Sequence, residues 1–381
     1  MSTKEWTIML YLNGTNDLGV EMENTFKDIV NLDNLKDINI VIQIGKAPIE
    51  LVRMIRQCDM IYKEEWSGVR RYSIIDGKIK MQSELKDLNM ADYKSLNDFI
   101  QWGMSNFKSK RYFLSIAGHG FIAALLSELS LDKPYIMGIY ELCKSLNSIN
   151  KSIDILFLDV CNMNTIEFIY ELGKQEKHPI KYVMTYVNNA PLSGFDYRKV
   201  IDNIDTKSTE EILRNIIESD ENNMVSVNID HGKLKKIKNL SNELSYRMLQ
   251  LRDEEKDYSK DELYSYLYYK IEDYVGKIIV AKQNNDDIRL IQFIYLNEYG
   301  IEDIDGFINY YYKLAFTKNN YCSNVFENKS LDESPNMMNS VAVQEELAFR
   351  DIETILSLYN TGLYNTKVLV KKIYKYMKWI K

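Results

Sequence analysis

Two short stretches end an apolar run with residues able to do covalent chemistry. Tyr112-Phe113-Leu114-Ser115-Ile116 leads into Ala117-Gly118-His119-Gly120, and Ile153-Asp154-Ile155-Leu156-Phe157-Leu158 leads into Asp159-Val160-Cys161-Asn162. A thiol that attacks an amide acts as its thiolate and needs an imidazole nearby to protonate the departing amine. Glycines flanking the histidine let backbone N–H groups approach a developing oxyanion. Each residue alone has a plain structural explanation, since buried cysteine is common and a histidine in a glycine turn tolerates unusual backbone angles. The pair points to acyl chemistry because both members lie just past strand-like runs, and ligands in open parallel sheets bind beyond the carboxyl ends of strands. Asp159 stands two residues before Cys161. Strand periodicity sends i and i+2 to one face, so its carboxylate is expected in the same cleft; the plain alternative is a cap on the strand-to-helix loop.

The elements that must hold these residues follow from the hydrophobic pattern. The first 230 or so residues alternate β-branched apolar runs with amphipathic segments, the signature of strands and crossover helices around a mainly parallel sheet. Strands are expected at 6–12, 38–45, 112–117, 153–159, 182–186 and 224–229, with a hairpin of 69–75 and 78–81 around Asp76-Gly77. Helices are expected at 21–32, 93–107, 136–146, 165–173 and 209–218. Beyond Lys233 the pattern turns to long tyrosine-rich charged segments, such as 234–251 and 264–279, which read as helices packed beside the sheet. The fold class is therefore α/β, with a catalytic domain at 1–232 and a mostly helical unit at 233–381. The polar stretch 318–336, carrying Pro335, reads as a long loop.

Bulk properties exclude several function classes. The chain has 381 residues, 45% apolar and 27% charged, the balance of a folded globular protein. Its net charge is −7 with lysines scattered among acidic residues, so the basic footprint of a nucleic-acid binder is missing. No apolar run approaches the roughly 18 residues a membrane helix needs, and the N-terminal residues lack a secretory h-region, so a cytoplasmic protein is expected. Four dispersed cysteines do not make a disulfide scaffold. Cys143 falls on the apolar face of a helix, and Cys58 and Cys322 have no partner at zinc-ligand spacing. His178, before Pro179, reads as an exposed turn residue, and His231 as the start of a helix. Glycine-rich phosphate loops are absent. Tyrosines at 264–269 and 310–312 read as helix packing, with a peptide groove as the alternative.

On the residues around His119 and Cys161 the chain resembles the clostripain family of cysteine peptidases, relatives of caspases, gingipains, legumain and separase. Trp6-Thr7-Ile8-Met9-Leu10-Tyr11-Leu12-Asn13-Gly14 is similar to the family's opening strand, with Asn16-Asp17-Leu18 behind it. Gly118-His119-Gly120 matches its histidine motif and Asp159-Val160-Cys161-Asn162-Met163 its Asp-x-Cys-x-Met; Gly68-Val69-Arg70-Arg71-Tyr72, Asn89-Met90-Ala91-Asp92, Gly194-Phe195-Asp196-Tyr197 and Val225-Ser226-Val227-Asn228-Ile229 add to the likeness. The resemblance covers residues 5 to 250 well and the rest weakly, where Ile304-Asp305-Gly306-Phe307 echoes a family helix.

The resemblance implies a caspase-like αβα sandwich and a thioester-forming endopeptidase. In it Cys161 is the nucleophile, His119 the general acid/base, and the N–H groups of Gly120 and Cys161 the oxyanion hole, with no third triad member required. Asp159 would sit in the S1 pocket and favour Arg or Lys at P1. The chain departs from the family in following Gly120 with Phe121-Ile122-Ala123-Ala124-Leu125, and in carrying Asn188-Asn189 where many members have an acidic residue. Asn188 and Asn189 would then line S1, and a polar uncharged P1 is the alternative. Activating cleavage between histidine and cysteine is disfavoured at Lys133 by Pro134, so a single active chain, or a cut after Lys144, is expected. No cofactor is required; calcium stays open because some relatives use it, although no acidic run here has calcium-loop spacing. The expected partner is a protein or peptide precursor met by a monomer, with room for an activator. Two rivals share the fold: a catalytically silent binding protein, and an acyl transferase using the same Cys161 and His119.

Overall fold

The computed structural model describes residues 3–33, 35–56, 61–121, 124–131, 135–204, 208–283, 291, 293–294, 311–327, 329–333 and 335. Its strands are β1 (Lys4–Gly14), β2 (Ile38–Lys46), β3 (Gly68–Ile75), β4 (Lys78–Glu84), β5 (Ser109–Ala117), β6 (Gly120–Phe121), β7 (Ala124–Glu128), β8 (Tyr135–Gly138), β9 (Ile153–Asp159), β10 (Ile180–Tyr186), β11 (Met224–Asn228) and β12 (Ile279–Lys282). The helices are α1 (Gly19–Val30), α2 (Ile49–Arg56), α3 (Tyr93–Asn106), α4 (Ile139–Asn147), α5 (Ile166–Gly173), α6 (Arg198–Asn203), α7 (Thr209–Ser219), α8 (His231–Asp253) and α9 (Glu262–Gly276), followed by a short helix, Cys322–Phe326.

Among the described residues, nine strands form one sheet in the order β12-β11-β10-β9-β5-β1-β2-β3-β4. The five central strands, β10 to β2, run parallel, and both edges finish in antiparallel pairs. The apolar runs become the central strands because strands covered on both faces must be apolar throughout. Along β1, Ile8, Leu10 and Leu12 join one core and Met9 and Tyr11 the other. The first core is shared with α1, α6 and α7, the second with α3, α4, α5, α8 and α9, giving the αβα layering expected from the sequence. Each fully buried leucine, isoleucine or phenylalanine contributes roughly 1.5–3 kcal/mol.

The hairpin turns where Asp76-Gly77 predicts, both residues at positive φ (49° and 73°) as a two-residue type I′ turn requires. Asp92 caps α3 by accepting from Lys94 N–H at 2.9 Å, and Ser208 caps α7 through Glu211 N–H at 3.2 Å.

Three expectations need correction. Residues 136–138 are the end of β8, not the first turn of a helix: Met137 pairs with Leu125, and the helix starts at Ile139 after an extended Gly138. The periodic segment 264–279 likewise stops at Gly276, and β12 follows as the outermost strand, taking the sheet's edge from beyond Lys233. Within 318–336 the helix Cys322–Phe326 packs on α8, with Tyr321 N–H bonded to Asn242 at 2.8 Å, so that stretch is not all loop. Ile304-Asp305-Gly306-Phe307, Cys58, Tyr310 and Lys133-Pro134 lie outside the described residues. Among the described residues no helix is long and apolar enough to cross a membrane.

Candidate active site

β5 and β9 are neighbours in parallel register, Ala117 opposite Asp159, so the two motifs leave the sheet side by side at its carboxyl edge. The backbones then stay together: Gly118 N–H donates to Asp159 O at 3.3 Å. At Gly120 a Cβ would lie 1.9 Å from Cys161 O and 2.7 Å from Cys161 N, so only glycine allows the histidine turn to lie against the Cys161 peptide. Gly118 (φ 155°) is boxed in by Leu126 and Asn13. Asn162, just past the cysteine, is left-handed at φ 55° and makes the sharp exit from β9.

His119 is 9% exposed, and its Nε2 lies 2.7 Å from Oδ1 of Asp17, itself 5% exposed. Asp17 sits in the β1–α1 loop, 102 positions earlier. Burial pushes the Asp17 carboxyl up, but the charge and hydrogen bond of His119 and the charge of Arg56 outweigh it and leave the group below the usual range. The His119 carbonyl accepts from Leu126 N–H at 2.8 Å. Leu126 is fully buried yet left-handed at φ 56°, where β7 slips register between Leu125 and Ser127.

Cys161 is partly buried. Its Sγ accepts from Ala190 N–H at 3.3 Å, and burial pushes the thiol above its ordinary range, only partly offset by that bond and reinforced by the Asp159 charge. The neighbouring loop is tied down by Asn162 N–H to Asn188 O at 2.9 Å and Asn162 Nδ2 to Asn189 Oδ1 at 3.2 Å. Asn188 and Asn189 are exposed and are bonded to Asn162 beside Cys161, so the structure brings both to the cysteine side of the candidate site.

Asp159 lies on the same face of β9 as Ile155 and Phe157 and is 6% exposed. Tyr186 Oη donates to its Oδ1 at 3.2 Å and Tyr197 Oη to its Oδ2 at 3.1 Å, while Ser115 Oγ lies 2.6 Å from Tyr197 Oη. Burial raises its titration to about 6 against the opposing pull of the two phenols and the Phe195 N–H. Phe157, Phe195 and Tyr197 pack edge to face around the carboxylate.

The other candidates lie elsewhere. His178 Nδ1 meets Ile180 O at 2.7 Å, and His231, the first residue of α8, meets Gly173 O at 2.9 Å. Cys143 and Cys322 are buried, one on α4 and one beneath Tyr311. Lys144 lies inside α4 against the Tyr93 ring. Among the described residues no group of three or more His, Cys, Asp or Glu is placed to hold a metal ion. Asp17, Tyr186 and Tyr197 were not assigned from the sequence. The motif segments contain Asp17 and Tyr197, but nothing in their spacing announces a contact made across the fold.

A model of the clostripain family, peptidase C11, matches residues 10–347. Clostripain of Hathewaya histolytica is 25% identical over 232 residues, which is 52% of this chain and 42% of that protein; the chain thus spans less than half the length of this curated relative. Among solved structures, the secreted C11 cysteine protease "iotapain" of Bacteroides thetaiotaomicron superposes with a TM-score of 0.54 at 14% identity, covering 75% of this chain and 88% of its own. A secreted C11 cysteine protease of Bacteroides thetaiotaomicron in complex with an irreversible peptide inhibitor gives 0.54 at 13% identity over 74% and 85%. An inactive zymogen C11 protease of Parabacteroides distasonis gives 0.53 at 14% identity over 74% and 85%. These likenesses establish the caspase-like fold.

Proposed function

The chain belongs to the clostripain family of cysteine peptidases, and on that premise we propose that it is a cysteine endopeptidase with Cys161 as nucleophile and His119 as acid/base. One observation carries the reading: two adjacent parallel strands deliver His119 and Cys161 to the same sheet edge, with Gly120 packed so closely on Cys161 that no side chain fits between. The free enzyme holds Cys161 as a neutral thiol, so proton transfer belongs to the substrate complex and not to a preformed ion pair. When the scissile carbonyl arrives, the Sγ–C bond forms as the thiol proton passes to the imidazole. The tetrahedral oxyanion faces the N–H groups of Gly120 and Cys161. Collapse breaks the C–N bond, the imidazole returns the proton to the departing amine, and water repeats the sequence on the thioester to release acid and thiol.

Asp159 is the specificity group of this proposal, and its surroundings refine it. A carboxylate already hydrogen-bonded by two phenols in an aromatic wall favours a P1 residue that brings charge, because a cation offsets the burial that raises its titration. Arg or Lys at P1 is therefore the first choice, with Asn188 and Asn189 supplying amide contacts at the rim in place of a second carboxylate.

The test is to incubate wild type and Cys161→Ala with fluorogenic peptides bearing Arg, Lys, Asn or Gln at P1, with and without calcium, and to map labelling by a peptidyl acyloxymethyl ketone. Cleavage that disappears in the variant, with the adduct on Cys161, is expected. Undiminished cleavage by Cys161→Ala, or labelling at another cysteine, would sink the assignment. Chromatography of the products in the presence of an added amine separates hydrolysis from acyl transfer.

A further inference from the structure

We propose that Asp17 positions His119 for proton transfer, so that a buried carboxylate stands behind the imidazole throughout the reaction; this rests on the peptidase reading above. The contact is direct, 2.7 Å between Nε2 and Oδ1, and both side chains are nearly excluded from solvent. An imidazole that donates Nε2–H to a carboxylate carries its lone pair on Nδ1 when neutral, and the tautomer is thereby fixed. Nδ1 is then the atom that takes the thiol proton and returns it to the amine. Asp17 stays ionised in every step; it orients the ring and stabilises the imidazolium without taking a proton.

The loop carrying Asp17 is built for this. Asn13 Nδ2 reaches Thr15 Oγ1 at 3.0 Å, Asn16 Nδ2 reaches Asn13 Oδ1 at 2.8 Å and Ser127 O at 3.0 Å, and Ser127 N–H returns to Asn13 Oδ1 at 3.2 Å. Leu129 N–H closes on Thr15 O at 2.9 Å. β7 is therefore bonded on one side to the loop of Asp17 and, through left-handed Leu126, to the carbonyl of His119. A buried leucine in that backbone region is costly and persists where its surroundings over-determine it, which is common at functional sites. From the packed elements, Arg56 of α2 bears on Asp17, donating to its carbonyl and to Glu21 of α1, while Glu128 of β7 is turned to Met90 N–H and Ser130.

A purely structural ion pair predicts something different, and kinetics separates the two. Asp17→Asn keeps the shape but can offer Nδ2–H to Nε2, which forces the proton onto Nδ1. With the peptide that wild type cleaves best, kcat is expected to fall about 10²-fold with KM within about threefold, and Asp17→Glu to recover about a tenth or more of the lost rate. Long-range ¹H–¹⁵N correlation on the wild type should show His119 protonated at Nε2 and bare at Nδ1; with three histidines in the chain, the signal is assigned by mutation. That spectrum decides the matter even where Asp17→Asn fails to fold. Wild-type kcat in Asp17→Asn, a loss that follows thermal destabilisation without rescue by Glu, or the opposite tautomer would each overturn the role of Asp17. A wild type that cleaves nothing, or a Cys161→Ala protein that cleaves equally, would overturn the peptidase reading itself.

Discussion

The two halves of the site are held in different ways. On the His119 side, an ion pair, the side chains of Asn13, Thr15 and Asn16 and a bonded strand hold the imidazole from behind. On the Cys161 side, a partly buried thiol and a buried carboxylate both have raised titration, and they are met by neutral donors: a backbone amide for Cys161 and two phenols for Asp159. The contrast teaches a division of labour. In the proposed mechanism the imidazole is held ready in the free protein, whereas Cys161 and Asp159, each with its titration raised by burial, await what the substrate brings.

The largest expected effect comes from breaking the seam between the halves. Gly120→Ala puts a methyl where Cys161 O already stands, so the histidine turn must withdraw; a displacement near 1 Å costs about 10²-fold in rate, and the overpacking about 1–3 kcal/mol. Activity near wild type in that variant would show the two backbones to be less tightly apposed than the contrast requires.

Asp159→Asn tests the cysteine half. Its folded titration of about 6 lies above that of an unfolded aspartate, so the group favours folding fully below about pH 4 and loses that contribution as pH rises through 6. Removing it is expected to raise stability by about 1–3 kcal/mol at pH 7.5 and to change little below pH 4, as chemical denaturation at both pH values would register. The same variant should lose most of any Arg or Lys preference, about 10- to 100-fold in kcat/KM, with Gln peptides much less affected. In wild type, turnover of Arg and Lys peptides should decline below about pH 6 relative to Gln peptides. Equal dependence for both classes would take Asp159 out of S1.

Tyr197→Phe gives the smallest change. Losing one donor to Oδ2 disfavours the carboxylate, so the acidic limb for cationic peptides should move up by about one pH unit, with a stability cost of about 1 kcal/mol. An unmoved limb would mean that the phenols pack against Asp159 without tuning it.

Much of this was legible in the chain. The buried parallel strands announce themselves as unbroken apolar runs, and the two motifs at the ends of β5 and β9 mark the proposed reacting pair before any contact is seen. What escaped were elements too short or too mixed for periodicity to decide. Residues 135–138 and 279–282 continue a helical spacing of apolar side chains, and only pairing with β7 and β11 makes them strands. Strand β7 escaped because it has five residues and a bulge at Leu126. Asp17 and Tyr186 gain their meaning from partners far along the chain, contacts that spacing within the sequence does not announce.

On α5, which begins shortly after Cys161, Glu167 and Glu171 are fully buried and accept backbone N–H groups from Ile294, Ala315 and Phe316. Two carboxylates four positions apart on a helix thus serve as the socket for a distant stretch of main chain. Shortening the protein before that stretch would remove these donors and leave Glu171 to Lys174, so the segments of Ile294 and of Ala315-Phe316 are expected to melt together with α5.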